Sequence, residues 1–416
     1  MTILAIIAEY NPFHNGHLYQ IKKAKELTKA DFVMVIMSGN FVQRGTPAIA
    51  DKYTRASICT KEVADLVIEL PYVYSTGSAY DFAMGAVSII EKLGVVDYLC
   101  FGAEADSPDV LKKLSDIVYE ETPAYRECLK KHLSKGLSFP AARQSAISDV
   151  CNVSDAHILS EPNNILAVEY LNALKRLNSK IKPVIIKREG ALYHDTEISG
   201  SICSATAARD FILSHMDDED FDINSLDNCL PKSTTDILKQ VYRMSFPISS
   251  ESLTPFLQSA MISGIPEDTV DSNSILIQKI SKIRPYCSFN DIASELKSKD
   301  ITRSRINRFL CHAILGYRNC EREVFAKNGY AFYANILSFR KDSSKLIRRI
   351  TEKSSIPVIT KKADFEKTIN DYDILHEAAL LMWDKDKKAT DLYNSLIYNT
   401  YGFFSSNDFD RILPIN

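Results

Sequence analysis

Two imidazoles three residues apart, His14 and His17, stand in the stretch AEYNPFHNGHLYQIKKAK, between an apolar run and a helical pattern. At that spacing both rings project to one side of a helix start, where unpaired main-chain N–H groups and the positive end of the helix dipole favour anions. Ring N–H donors there could hold a polyphosphate and stabilise charge growing on it as its α-phosphate is attacked. Gly16, between them, lets the backbone approach a ligand closely. Two plainer readings stand beside this one. His-x-x-His could be half of a metal site, although the other histidines are scattered and supply no third-ligand cluster. Alternatively, both rings could merely cap the helix.

To do chemistry, the pair must be delivered to the carboxyl edge of a sheet, where open α/β folds bind ligands. The first half of the chain alternates short apolar runs with helical patterns, which predicts a parallel sheet with crossover helices. Strands are expected at 3–8, 32–37, 66–70, 98–101 and 183–187, and helices at 17–29 and 78–93. A helical excursion is expected over about 106–160. After about Ile212 the strand-like alternation stops, and the acidic stretch HMDDEDFD reads as a linker or surface loop. The expectation is a Rossmann-like α/β domain over 1–212 followed by a mainly α-helical domain over 213–416. No Gly-x-Gly-x-x-Gly follows the first strand and no Gly-x-x-x-x-Gly-Lys-Ser/Thr occurs, which excludes the dinucleotide-type and P-loop phosphate cradles.

With 45% hydrophobic and 25% charged residues, the 416-residue chain has the composition of a globular protein of two or three domains. The run ILAIIAE is too short for a leader or a membrane span and ends in Glu9, so it reads as a buried strand. Nine cysteines without a Cys-x-x-Cys pair argue against a disulfide framework and against structural zinc. These features predict a soluble, reduced, cytoplasmic protein without membrane association, and they leave the oligomeric state open. The net charge of −3 says nothing for nucleic acid, but its distribution does. Residues 301–350 carry eleven Lys+Arg against three Asp+Glu, whereas 215–300 carry eight against fourteen.

The segment HNGH after a first strand resembles the His-x-Gly-His signature of the nucleotidyltransferase superfamily, whose members bind ATP on a Rossmann-like sheet. That superfamily's second signature, Ser-x-Thr with a following basic residue at a later helix start, is matched by ICSATAARDFI. There Ser204 and Thr206 can cap a donor-rich helix end and Arg209 can lie near phosphates. Further, AEYNPFHNGH, MSGNFVQRGTPAIADKYTRA, ADLVIELPYVYSTGSAYDFAMGAV, FGAE, EPNNILAVEYLNAL and SATAAR resemble the bacterial tRNA(Met) cytidine acetate ligases. The resemblance covers essentially the whole N-terminal half and extends more loosely over the rest. It implies that ATP activates acetate to acetyl-adenylate with release of pyrophosphate. The acetyl group then passes to the exocyclic amine of the wobble cytidine of elongator tRNA(Met), giving N(4)-acetylcytidine. Carried over by position, it puts His14, His17, Ser204, Thr206 and Arg209 in the catalytic set. It assigns ATP contacts to Ile7, Ala8, Glu9, Tyr10, Asn11, Pro12, Phe13, His14, Asn15, Gly16, His17, Leu18, Tyr19 and Gln20. Further contacts fall on Gly102, on Asn163 or Asn164, and on Arg188. Asn40, Gln43 and Arg44 become candidates for the acetate end of the pocket. Mg²⁺ is expected with ATP, without dedicated protein ligands for a metal.

Such chemistry asks for positioning and positive charge more than for a covalent nucleophile, so the lack of a Ser-His-Asp or Cys-His arrangement is consistent with it. The second substrate needs a surface for a polyanion. Arg303, Arg305 and Arg308, continued by Arg340, Lys341, Arg348 and Arg349, are the expected tRNA contacts. Aromatics interleaved with them, such as Tyr317, Phe325 and Tyr330, could offer stacking faces, although most are expected to be core. Two rival readings remain open at this stage: an adenylyltransferase acting on a small phosphorylated acceptor, and a non-enzymatic RNA-binding protein on the same scaffold.

Overall fold

The computed structural model describes residues 1–105, 107–135, 139–150, 157–188, 203–218, 220–299, 301–406 and 408. All five strands expected from the apolar runs form: β1 (Ile3–Ala8), β2 (Phe32–Ser38), β5 (Leu66–Leu70), β6 (Tyr98–Ala103) and β7 (Lys182–Lys187). They pair in parallel in the order β7-β6-β1-β2-β5, with Ile6 of β1 opposite Val35 on one side and Cys100 on the other. Successive side chains of a strand point to opposite faces, and helices cover both. Ile3, Ala5 and Ile7 of β1 therefore enter one core while Leu4 and Ile6 enter the other. The helices Ala79–Leu93 and Pro162–Arg176 pack on the first face, and Asn15–Thr28, Lys52–Glu62 and Ala205–Ser214 on the second. Between β6 and Pro162–Arg176 the described part of the excursion includes helices Pro108–Glu120, Pro123–Ser134 and Phe139–Val150 and the short 3-10 helix His157–Ser160.

A short hairpin, β3 (Phe41–Val42) with β4 (Thr46–Pro47), follows β2. The C-terminal half is mainly helical, as expected, but it also supplies two strands that the pattern did not reveal. β8 (Ala334–Phe339) joins the sheet antiparallel to β5, and β9 (Val358–Ile359) pairs in parallel with β8. The reason is chemical. β8 reads ANILSF, and its two polar residues are buried but partnered: Asn335 donates to Glu69 at 2.6 Å, and Ser338 shares a hydrogen bond with Thr60 at 2.8 Å. A polar residue in a dry position is tolerated once it is hydrogen-bonded, and that partnership is invisible in one dimension. Strands thus continue well past residue 212. Leu257, Phe289, Phe309 and Met382 of the later helices lie in the same core as Ile3 and Phe82. Tyr317, Phe325, Phe332 and Tyr333 are each at most 2% exposed and belong to that core as well. No described helix is long and apolar enough to cross a membrane.

Candidate active site

The strand order reverses between β1 and β6: the chain moves from β1 to β2 on one side and returns to β6 on the other. Loops leaving neighbouring strands in opposite directions open a crevice at such a switch point. Here the crevice is walled by His14, Gly16, His17, Tyr19 and Gln20 from β1 and its helix, and by Gly102 at the end of β6. Ile186, Lys187 and Arg188 at the end of β7, with Cys203 and Ser204, also line it. Two helix N-termini converge on it. Ser204 caps Ala205–Ser214, its side chain accepting from the Ala207 N–H at 3.0 Å, and His14 caps Asn15–Thr28. Both helix starts direct their positive ends to one place, which suits a polyanion.

The histidines are held by main-chain bonds. His14 Nδ1 accepts from the Gly16 N–H at 3.1 Å, and His17 Nδ1 accepts from the His14 N–H at 3.3 Å, a reciprocal capping box built from imidazoles. The rings stack with centroids 3.6 Å apart, and Tyr10 meets His17 edge-on at 4.9 Å. Because each Nδ1 is an acceptor, each neutral ring carries its proton on Nε2. Burial, followed by the charges of Arg188 and Arg209, pushes the His14 pKa down to about 3. Burial, then His14 and Arg188, also holds His17 well below its ordinary value. The ligand-free pair is therefore neutral and presents N–H dipoles, not imidazolium charges. Capping and ligand-facing are not alternatives here, since the cap fixes which nitrogen remains a donor. Among the described residues no group of three or more His, Cys, Asp or Glu could hold a metal ion.

The other residues implied for ATP divide into cleft wall and scaffold. Tyr10 and Phe13 are buried beneath the loop, with Ala8 and Leu18 packed beside them, while Ile7 enters the core on the opposite face of the sheet. Glu9 accepts from the Gln43 N–H at 2.9 Å, Asn11 Oδ1 accepts from the Ile49 N–H at 2.8 Å, and Pro12 is buried. Asn15 turns away to the Asn228 and Cys229 carbonyls. Arg209 donates to the Asn11 carbonyl at 2.6 Å and to Thr206 Oγ1 at 3.1 Å, so it ties the β1 loop to the second capped helix. Gly102 leaves room in the wall: a Cβ there would stand 3.3 Å from Arg188 Cγ and 3.7 Å from Gln20 Nε2. Neither Asn163 nor Asn164 lines the crevice. Asn164 is 1% exposed, and its Oδ1 accepts from the Glu104 and Ala105 N–H groups at 2.9 and 3.0 Å. Asn163 donates to the Glu104 carboxylate, so both asparagines brace the loop after β6.

Gln43 and Arg44 lie in the turn of the hairpin after β2 and Asn40 just before it, outside the crevice wall, with Gln43 joined to the β1 loop through Glu9. Asn40 Oδ1 accepts from the Lys52 N–H at 2.8 Å. The element that sequence reasoning left without a role is Arg55. It is 1% exposed and donates to the carbonyls of Glu9 at 2.6 Å, Ser38 at 3.1 Å and Ala50 at 2.9 Å, and to that of Gly39. One guanidinium therefore locks the loops leaving β1 and β2. Lys52 beside it is fully buried and pairs with Glu69 at 2.9 Å and Asp408 at 2.9 Å. The only signal was polar residues at the start of a helix, in DKYTRA.

The expected basic face does not exist as one surface. Arg303 spends its guanidinium on Asn307, Ser294 and Asn290 at 2.7–3.1 Å. Arg308 grips Asp271 through two bonds of 2.7 and 3.0 Å, and Arg305 donates to the Asp271 carbonyl at 3.2 Å. Burial would raise the Asp271 pKa, but Arg308 above all, with His312 and Arg305, holds it below the ordinary carboxylate value. Arg340, Lys341, Arg348 and Arg349 sit elsewhere. β8 runs antiparallel to β5, with Phe339 opposite Leu66, so the residues after it lie at the amino edge of the sheet. Arg349 reaches the Met1 carbonyl there at 3.4 Å. The crevice is at the opposite edge.

The comparisons with known proteins agree with this geometry. The family model described as HIGH Nucleotidyl Transferase matches residues 1–407. The tRNA(Met) cytidine acetate ligase of Thermoanaerobacter sp. (strain X514) is 38% identical over 405 residues, covering 96% of each chain. Its counterpart from Caldanaerobacter subterraneus subsp. tengcongensis is 37% identical over 419 residues, covering all of both. The crystal structure of Thermotoga maritima TmcAL bound with alpha-thio ATP superposes over the whole of both chains with a TM-score of 0.90 at 29% identity. The apo form of that protein gives a TM-score of 0.91 at 30% identity. With a capped crevice at the switch point and relatives aligned from end to end, the chain belongs to the tRNA(Met) cytidine acetate ligase family of HIGH nucleotidyl transferases.

Proposed function

We propose that this chain joins acetate to tRNA(Met) at the expense of ATP, with the β1/β6 crevice as the adenylating site. The observation that carries the reading is the convergence of two capped helix N-termini and two neutral imidazoles, each with its proton on Nε2, on one crevice. In the first step an acetate oxygen attacks the α-phosphorus of ATP. The bond to the bridging oxygen breaks, pyrophosphate leaves, and acetyl-adenylate remains. Negative charge builds on the α-phosphate oxygens, where the Nε2–H donors, the helix ends and Arg188 stabilise it. In the second step the exocyclic amine of the wobble cytidine of elongator tRNA(Met) attacks the acetyl carbon. AMP departs with the C–O bond electrons, and the amine loses a proton, giving N(4)-acetylcytidine.

Among the described residues the donor set of the crevice is N–H groups and cations, without a carboxylate, so a Mg²⁺ would arrive on the phosphates as part of the ATP substrate. Asn40, Gln43 and Arg44 are assigned to the acetate side, a placement supported by the bond from the Gln43 N–H to Glu9. The reading is tested on purified protein with ATP, Mg²⁺, acetate and total bacterial tRNA, followed by nucleoside mass spectrometry. Acetylcytidine that requires ATP, acetate and His17 is the expected result. Its absence, with pyrophosphate released on another small acceptor, would leave only adenylyl transfer.

A further inference from the structure

A groove of about 720 Å³, distinct from the crevice, lies between the excursion helices, the helix Pro162–Arg176 and the helix Arg303–Leu315. That volume is within the range of roughly 300–1,000 Å³ typical of ligand clefts. Five arginines line it, Arg126, Arg143, Arg176, Arg305 and Arg308, against three carboxylates, Glu121, Glu169 and Asp271. Two of the carboxylates are closed off, Asp271 by Arg308 and Glu169 by Arg143. Glu121 is only loosely engaged, at 3.5 Å from Arg126 and 3.8 Å from Arg176. The rim therefore keeps net positive charge on Arg126, Arg176 and Arg305.

Between these cations the wall is apolar at Val118, Leu129, Leu159 and Ile165. The Arg176 guanidinium lies 5.8 Å from the centre of the Tyr80 ring. Behind the wall, among the described residues, Arg143 Nε, Glu169 Oε2 and Asn172 Oδ1 are buried without a hydrogen-bond partner. Position adds to this. Ser78–Tyr80, in the wall, begin the helix Ala79–Leu93, which follows β5 after one short helix and starts on the side of the carboxyl edge where the crevice lies. On its other side, the helix Arg303–Leu315 carries the hairpin after β2, with a Cβ on Gly45 meeting Arg308 N at 2.1 Å.

We propose that this groove seats unpaired nucleotides of an RNA strand. Phosphates lie on the arginine rim, and bases lie against the apolar wall and the Tyr80–Arg176 stack, the mode by which proteins hold unpaired RNA. The assignment rests on the tRNA reading above and deepens it by naming where the strand lies. An acidic peptide would satisfy the rim but leaves the apolar wall between the arginines unused.

Full-length protein carrying Arg126→Ala and Arg176→Ala is titrated with fluorescent tRNA by anisotropy over a series of salt concentrations. Expected is about tenfold weaker binding at 0.1 M salt and a salt slope reduced by about one to two, one per lost phosphate contact. In parallel, a photocrosslinking residue at Leu129 is expected to join unpaired anticodon-loop nucleotides. Unchanged affinity and slope in the double variant, or crosslinks confined to paired stems, would overturn the groove. So would displacement of the crosslink by a polyglutamate peptide but not by single-stranded RNA. Acetylcytidine formed normally by the double variant at limiting tRNA would overturn the groove and leave the ligase reading standing. Anticodon-loop crosslinks in a wild-type protein that acetylates no tRNA would do the reverse.

Discussion

The histidine loop and the arginine helix are the two densest concentrations of functional side chains in this chain, and the fold treats them oppositely. His14 and His17 keep the relation their spacing implied, because each is fixed by a main-chain N–H within three residues. Arg303, Arg305 and Arg308 were expected to face outward as a set, yet all three turn to acceptors supplied by Asn290, Ser294, Asp271 and Ser272. The difference is one of range. A short-range motif carries its own hydrogen-bond partners, whereas the direction of a long cationic side chain depends on whatever the tertiary fold places beside it. Charge count alone is thus a guide to solvation only until a largely shielded carboxylate such as Asp271 appears.

The largest effect that would sharpen this contrast is at Asp271. Asp271→Ala removes the partner of two arginines and leaves charge uncompensated, so a loss of about 3–5 kcal/mol is expected in urea unfolding. A loss near zero would mean that the arginines are free after all. Charge reversal of Arg303 and Arg308, whose guanidinium groups are engaged by neighbours, should act in the same way, on stability. In the histidine loop, His14→Ala should slow acetate-dependent ATP–pyrophosphate exchange by about 10²–10³-fold, as for loss of one preorganised donor. Binding of tRNA should be largely retained, and an exchange rate within twofold of wild type would remove the pair from the chemistry.

A smaller effect concerns pH. The folded state holds His14 at about 3 and His17 well below the ordinary 6.5, so below about 6.5 the unfolded chain binds protons that the folded chain does not. Stability is therefore complete above pH 6.5 and falls as pH drops toward 3, by roughly 1.4 kcal/mol per pH unit for each ring. An ATP analogue, by favouring the charged rings, should flatten that slope, and His14→Gln should remove one ring's share. Urea midpoints at pH 4.5 and 6.5 with the same difference in both proteins would contradict the assignment. The smallest effect is expected for Gly102→Ala. Its methyl would press on the flexible Arg188 stem, weakening ATP by about 1 kcal/mol, or roughly fivefold in Kd, measurable by calorimetry.

By itself the sequence determined the five parallel strands, because runs buried on both faces must be apolar throughout. It also determined the two helix starts that carry His14 and Ser204, because caps are local chemistry. It did not determine the edge of the sheet beyond β5: Asn335 and Ser338 look like loop residues until Glu69 and Thr60 meet them. Nor did it determine the role of Arg55, whose acceptors are carbonyls from three separate segments. Tertiary structure alone decided that Asn163 and Asn164 brace a loop through Glu104, and that the cations near residues 303 and 345 stand at different places on the molecule. The physical reason is common to all of these. Hydrogen-bond partners within a turn are written in adjacent letters, whereas the partner of a buried polar or charged group lies tens to hundreds of residues away, and only folding brings the two together.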